Sequence, residues 1–186
     1  MSSVAAPRRM WSVDDYERMI AAGVFRDDDR CELLEGEVVD MSPIGPDHAG
    51  KVNRLNRLLI LRLGNRATVA VQNPVRLPPL SMPQPDLAIL RPRGDDYSRS
   101  HPAPADVFWV IEVADTTLAR DRAKLRLYAE AGVPEVWIVN LPESCLEVYR
   151  RPSGGRYEDA IVTRPGDRCA AAAFPDAALE VAEVLG

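Results

Sequence analysis

The run Val107-Phe108-Trp109-Val110-Ile111-Glu112-Val113, followed by a helical stretch at Thr117–Ala131, a stop at Gly132-Val133-Pro134 and a second apolar run at Glu135–Asn140, decides the fold. The first run is apolar at consecutive positions, so both faces of its strand require cover, as in the centre of a sheet with layers on both sides. Strand, helix and strand in that order form a crossover unit, which joins parallel strands. An α/β protein follows from this segment, and together with the strands and hairpin expected around it the central β-sheet reads as mixed.

Outward from that unit, Ser12 with Asp15 three residues later predicts a capped helix through Tyr16, Met19 and Ile20 that stops at Gly23. Cys31–Asp40, CELLEGEVVD, reads as a strand or tight hairpin turning at Glu35-Gly36. Val52, Leu55, Leu58, Leu59 and Leu63 recur at helical spacing over Asp47–Leu63, and Gly64 ends that helix. Strands are expected at Thr68–Val71, Val75–Leu77 and Asp86–Leu90, and a more exposed C-terminal β-hairpin at Leu146–Arg150 and Tyr157–Thr163 across Ser153-Gly154-Gly155. The tail Ala170–Leu185 carries only a weak signal. The expected organisation is a flexible N-terminus at residues 1–10 and one domain over 11–186.

Composition limits what such a protein does. With 186 residues, 46% hydrophobic and 27% charged, the chain can bury a core without disulfide or metal. Its three cysteines, Cys31, Cys145 and Cys169, are scattered and lack zinc-site pairing. The longest apolar runs are strand-sized, far short of the roughly 20 residues of a membrane span. The start MSSVAAPRRMWSVDD lacks the apolar run of a secretory signal, so a cytoplasmic location and no membrane partner are expected. A net charge of −5 argues against a simple DNA-coating protein. It leaves room for an enzyme whose carboxylates hold metal ions against a phosphate.

Glu112 is the sharpest anomaly, a carboxylate inside an apolar strand. Burial of such a group costs several kcal/mol unless it is paired, protonated or metal-bound. The alternative is that the strand simply emerges into solvent there, although the carboxyl ends of strands are also where α/β sheets place reactive groups. Asp86, after Pro85 at the head of a neighbouring strand, gives a second carboxylate, and two carboxylates on adjacent strand ends suit Mg²⁺, with water and substrate phosphate completing its shell. Mn²⁺ is the expected substitute.

Projected at about 100° per residue, the helix Thr117–Ala131 sets Asp121, Lys124, Leu125 and Tyr128 on one side and Arg120, Arg122, Arg126 and Glu130 on the other; Leu127 breaks the division. Asp121 and Lys124 are thus charged residues on the inward side, with an i,i+3 ion pair as the plain structural alternative. Of the 23 basic residues all but Lys51 and Lys124 are arginine. An ammonium has a tunable pKa and can orient or deprotonate water, which a guanidinium does not, so Lys124 is the catalytic candidate of that helix. Lys51 reads as a surface residue. Glu32 and His48 are further candidates, but from the residues alone each reads as a solvated or capping group.

In order, Glu32-Leu33-Leu34-Glu35-Gly36-Glu37, His48 heading a helix, Pro85-Asp86, Ile111-Glu112-Val113, Asp121-x-x-Lys124-x-x-x-Tyr128 and Ala131-Gly132-Val133-Pro134-Glu135-Val136-Trp137 resemble the Uma-two family. That family groups prokaryotic endonucleases of the restriction-endonuclease-like PD-(D/E)XK superfamily. The resemblance implies a restriction-endonuclease-like core, a mixed sheet flanked by α-helices, to which the helix read at Ser12–Gly23 is an extra N-terminal element. It implies that Asp86 and Glu112 bind the metal and are catalytic, that Lys124 replaces the lysine otherwise expected at Ala114, and that Glu32, His48 and Asp121 support them. Ala114-Asp115 and Asn140 depart from the usual Leu-Ser and Asp, and neither change removes a metal ligand.

The expected function is a Mg²⁺-dependent endonuclease that hydrolyses DNA phosphodiester bonds, Lys124 positioning the water. A two-fold homodimer suits cleavage of both strands, though nothing in the sequence locates an interface. The alternatives are a catalytically inactive nuclease-fold module that binds nucleic acid or a protein partner, and a hydrolase of another phosphate ester.

Overall fold

The structure, a computed structural model, describes residues 8–26 and 28–186. Its centre is a six-stranded sheet of β3 (Thr68–Val71), β4 (Leu87–Leu90), β5 (Val107–Ala114), β6 (Glu135–Asn140), β7 (Cys145–Ser153) and β8 (Arg156–Thr163), in that spatial order. Every neighbouring pair is antiparallel except β5 and β6, which are parallel and joined through α3 (Leu118–Glu130). The apolar run at Val107–Val113 is therefore an inner strand of a mixed sheet.

Alternation along β5 assigns its two faces. Trp109, Ile111 and Val113 enter a core with Leu55, Leu59 and Leu63 of α2 (Pro46–Leu63). Val110 and Ala114 enter the opposite core, with Leu127 and Tyr128 of α3. Glu112, between them in period, shares the α3 side. Leu127, which broke the helical projection, is buried there, because the broad sheet covers a wider stripe of α3 than the projection assumed.

Before the sheet come α1 (Val13–Ala21) and the hairpin of β1 (Cys31–Leu34) and β2 (Glu37–Asp40). The predicted capping box at Ser12 and Asp15 is present, with the Asp15 backbone N–H donating to Ser12 Oγ at 3.1 Å. Glu35 and Gly36 turn the hairpin at φ +52° and +79°, the pair of left-handed residues that a tight two-residue connection needs. A side chain at Gly36 would also meet Met10 Cβ at 2.9 Å. Tyr16, Leu33 and Met82 close a third apolar cluster, and Leu33 and Met82 exchange backbone hydrogen bonds, tying the hairpin to the chain that enters β4. Of the segment 1–10 expected to be flexible, residues 1–7 lie outside those described, while Arg8 pairs with Glu37 and Arg9 stacks on Trp11.

Two expectations change. Val75–Leu77 is not a strand: both residues are buried, yet the N–H of Val75 bonds Pro83 O and that of Leu77 bonds Ser81 O within an irregular loop. Pro78 and Pro79 follow directly, and without N–H donors they cannot extend a ladder. The C-terminal hairpin is longer than expected and belongs to the main sheet, β7 buried in its first half and β8 an exposed edge. In the tail, β9 (Arg168–Cys169) pairs with β10 (Leu179–Glu180), and α4 (Val181–Leu185) buries Val181 and Val184 in the α2 core. Elements of two to five residues are too short for periodicity to reveal. No helix among the described residues is long and apolar enough to cross a membrane.

Candidate active site

Because β4 and β5 run antiparallel with Leu87 opposite Ile111, the residue that precedes β4 lies beside the carboxyl end of β5. That residue is Asp86. Its Oδ2 accepts the backbone N–H of Val113 at 2.8 Å, and its Oδ1 lies 2.9 Å from His48 Nε2 and accepts from Gln72 Nε2 at 3.3 Å. The carboxylate is thus fixed by the next strand, the first turn of α2 and the end of β3.

Glu112 projects toward α3, 2% exposed. Its Oε1 accepts the Tyr128 hydroxyl at 2.7 Å and faces the Lys124 ammonium at 3.5 Å. Burial pushes its carboxyl up to about 8, with Asp121 and Asp86 adding to the rise and Lys124 and Tyr128 opposing it. Burial also raises Asp121, whose Oδ2 accepts the Thr117 hydroxyl at 2.6 Å. For Lys124 burial disfavours the charge, but Glu112, Glu32 and Asp121 outweigh it and hold the ammonium above its ordinary range.

Lys124 forms its closest ion pair with Glu32 Oε2, at 3.1 Å, and none with Asp121 among the described residues, so the i,i+3 pair does not form. Glu32, 1% exposed, also accepts Arg120 at Oε1 at 3.0 Å and the Gln84 backbone N–H at Oε2 at 3.1 Å. It is neither solvated nor a cap. His48 is held toward its protonated form by the hydrogen bond to Asp86, against a smaller opposing effect of burial. Asp86, Glu112, Lys124, Glu32, His48 and Asp121 all line one cavity of about 250 Å³. Lys51 stands apart, donating to Gly186 O at 3.1 Å.

Sequence reasoning missed several members. Arg120 was assigned to the outward side of α3, yet it is half-buried and points into the cavity, because the hairpin carrying Glu32 reaches over the helix. Tyr128 was legible from its spacing, one helical turn after Lys124 on the same face. Gln72, Gln84 and Arg30 also line the cavity, and no local pattern marks them.

Among the described residues no three His, Cys, Asp or Glu side chains form a ready metal cage. The donor set is nevertheless the one that Mg²⁺ accepts, one or two hard-oxygen carboxylates beside open space for water and phosphate. Asp86 and Glu112 meet that description, and a dication would supply the charge that burial denies to Glu112.

Residues 13–182 match the Uma2 family, described as "Putative restriction endonuclease". Among solved structures, the chain is similar to a crystal structure of a "putative nuclease belonging to DUF820" from Anabaena variabilis ATCC 29413, at 14% identity and TM-score 0.73 over 94% of this chain and 97% of that one. At that identity the likeness concerns the fold, and it agrees with the nuclease-like α/β core. No curated protein matches the chain. A family match over this much of the sequence makes the chain a member of the Uma2 family.

Proposed function

We propose that the protein is a divalent-metal-dependent endonuclease that hydrolyses DNA phosphodiester bonds. The observation that carries this reading is the convergence of Asp86, Glu112 and the Lys124 ammonium, from three separate elements, on one cavity at the carboxyl end of β5. Family membership supports it.

In this reading Asp86 and Glu112 would hold Mg²⁺, or Mn²⁺ in its place. Bound there, the ion supplies Lewis-acid polarisation of the phosphate and a more acidic water. Lys124 stays charged, so it stabilises negative charge on the phosphoryl oxygens and orients the attacking water rather than deprotonating it. His48 and Gln72 orient Asp86, and Tyr128 orients Glu112. Glu32 holds Lys124 and Arg120 in place. The reading implies a cytoplasmic protein, residues 11–186 acting as one domain, and a homodimer when both strands are cut; sedimentation with and without duplex tests the last point.

A second reading, a nuclease fold that binds nucleic acid without cutting, is favoured by one observation: Lys124 faces both Glu32 and Glu112, and no group of three carboxylate, His or Cys side chains forms a metal cage among the described residues. Incubation of supercoiled plasmid and single-stranded DNA with Mg²⁺ or Mn²⁺ separates the two. Nicking that stops in chelator and in Asp86→Ala supports the enzyme. Ion-independent binding without cleavage supports the module, and full metal-dependent activity in Asp86→Ala removes that residue from the site.

A further inference from the structure

The cavity's charges are unevenly committed. Lys124 is 5% exposed and faces two carboxylates with its three N–H donors, so it leaves one donor for the reacting phosphate and none to grip the strand beyond it. Arg120 gives one N–H to Glu32, and a guanidinium carries five, so most of its donors remain available at a side chain that is 33% exposed. Arg30 lines the same cavity, half-buried, and makes no ion pair among the described residues. Its backbone carbonyl accepts the N–H of Met41 at 2.8 Å, which extends the hairpin ladder and fixes the position from which its side chain starts.

We propose that Arg30 and Arg120 form the backbone-phosphate grip of this site, taking a nucleic-acid strand by its phosphates and leaving its bases outside. The proposal rests on the nuclease reading and names how the substrate is held. A cavity of about 250 Å³ lies below the roughly 300–1,000 Å³ that usually enclose a small molecule. It suits a phosphodiester linkage passing through rather than an extruded nucleotide. On a chain of net charge −5 a polyanion needs a local positive pole, and planar guanidiniums match phosphate oxygens in pairs. Contacts of this kind carry no sequence information.

The test is anisotropy of fluorescein-labelled oligonucleotides of several sequences with Ca²⁺ in place of Mg²⁺, over a salt series, for wild type, Arg30→Gln, Arg120→Gln and the α2 surface control Arg57→Gln. Arg30→Gln breaks no ion pair among the described residues, so it is expected to fold as wild type in a melt even if Arg120→Gln, which releases Glu32, does not. The expected result for Arg30→Gln is a several-fold weaker affinity on every sequence and a slope of log K against log salt reduced by about one. Unchanged affinity and slope in folded Arg30→Gln overturns the grip, as does a loss confined to one sequence, which marks a base contact. The expected slope change in Arg30→Gln together with a wild type that binds but never cuts leaves the grip standing and removes the nuclease. Wild type that cuts, with the KM of Arg30→Gln unchanged, does the reverse, and wild type that binds no strand removes both.

Discussion

Glu112 on β5 and Glu147 on β7 stand in one cross-strand row, either side of Ile138, on the face of the sheet that α3 covers. Both are almost fully buried, 2% and 3% exposed, and each meets a cation of α3. Their chemistry is opposite. Glu147 accepts Arg122 at both oxygens, at 2.6 and 3.1 Å, with Asn140 and Tyr149 completing its shell at 2.7 and 2.5 Å. Burial raises its carboxyl, but those donors outweigh burial and hold it below the usual glutamate range. Glu112 has one hydroxyl and a longer ammonium contact, and burial wins. A carboxylate with every lone pair answered is a pin between helix and sheet. One left under-answered beside an open cavity is poised for a ligand.

The sharpest way to break this comparison is to neutralise each glutamate in turn. Glu112→Gln should lower metal-dependent DNA cleavage by about 10²-fold or more while leaving the melting temperature close to wild type, since burial already favours the neutral form of Glu112 in the metal-free protein. Glu147→Gln should leave kcat within a few-fold. Equal losses of activity in plasmid assays on both folded variants would mean that the two sites do not differ in kind.

Stability should respond the other way. Glu147→Gln forfeits charge-assisted hydrogen bonds to a partly exposed Arg122, a loss of about 1–3 kcal/mol. At roughly 2–4 °C per kcal/mol for a chain of this size, the shift is readable by calorimetry. Because Glu147 titrates below its unfolded value, its contribution is present above the ordinary glutamate pKa and is lost as pH falls through the lowered one. The melting gap between wild type and variant should therefore be widest near neutrality and close in acid. A gap that widens in acid would contradict the assignment.

Divalent ions give a finer test. At 100 times the dissociation constant, Mn²⁺ should stabilise wild type by about 2.7 kcal/mol. The same shift should survive in Glu147→Gln and vanish in Glu112→Gln; a shift retained in the latter removes Glu112 from the metal. A smaller loss than that of Glu112→Gln is expected of Tyr128→Phe, which takes one hydrogen bond from Glu112 and should reduce kcat by about 10-fold.

The row of Glu112, Ile138 and Glu147 also shows how far the sequence could be read. Glu112 stood out because apolar residues flank it on both sides, and Lys124 because it is a lysine in an arginine-rich chain. Glu147 lies in CLEVYR, an alternating run in which a glutamate is ordinary, so its burial was invisible until Arg122 was seen to reach it. Asn140, noted in the sequence as a departure, proves to donate to Glu147, where an aspartate would set like charges together. Arg120 was misassigned because a helical projection knows one helix and its angle, not the hairpin that folds across it.

The sequence alone determined the elements whose signals are local and long: the capped first helix, the Glu35-Gly36 turn, the central strand apolar on both faces, and the candidates Asp86, Glu112 and Lys124. Only the tertiary structure decided which carboxylate each cation answers, that Glu32 and His48 join the same cavity, and that Arg30 and Arg120 open onto it. The reason is physical. Periodicity and capping are fixed within a few residues by backbone geometry. A side chain's partner is fixed by the packing of elements distant in sequence, as when β1 brings Glu32 to within 3.1 Å of Lys124 on α3.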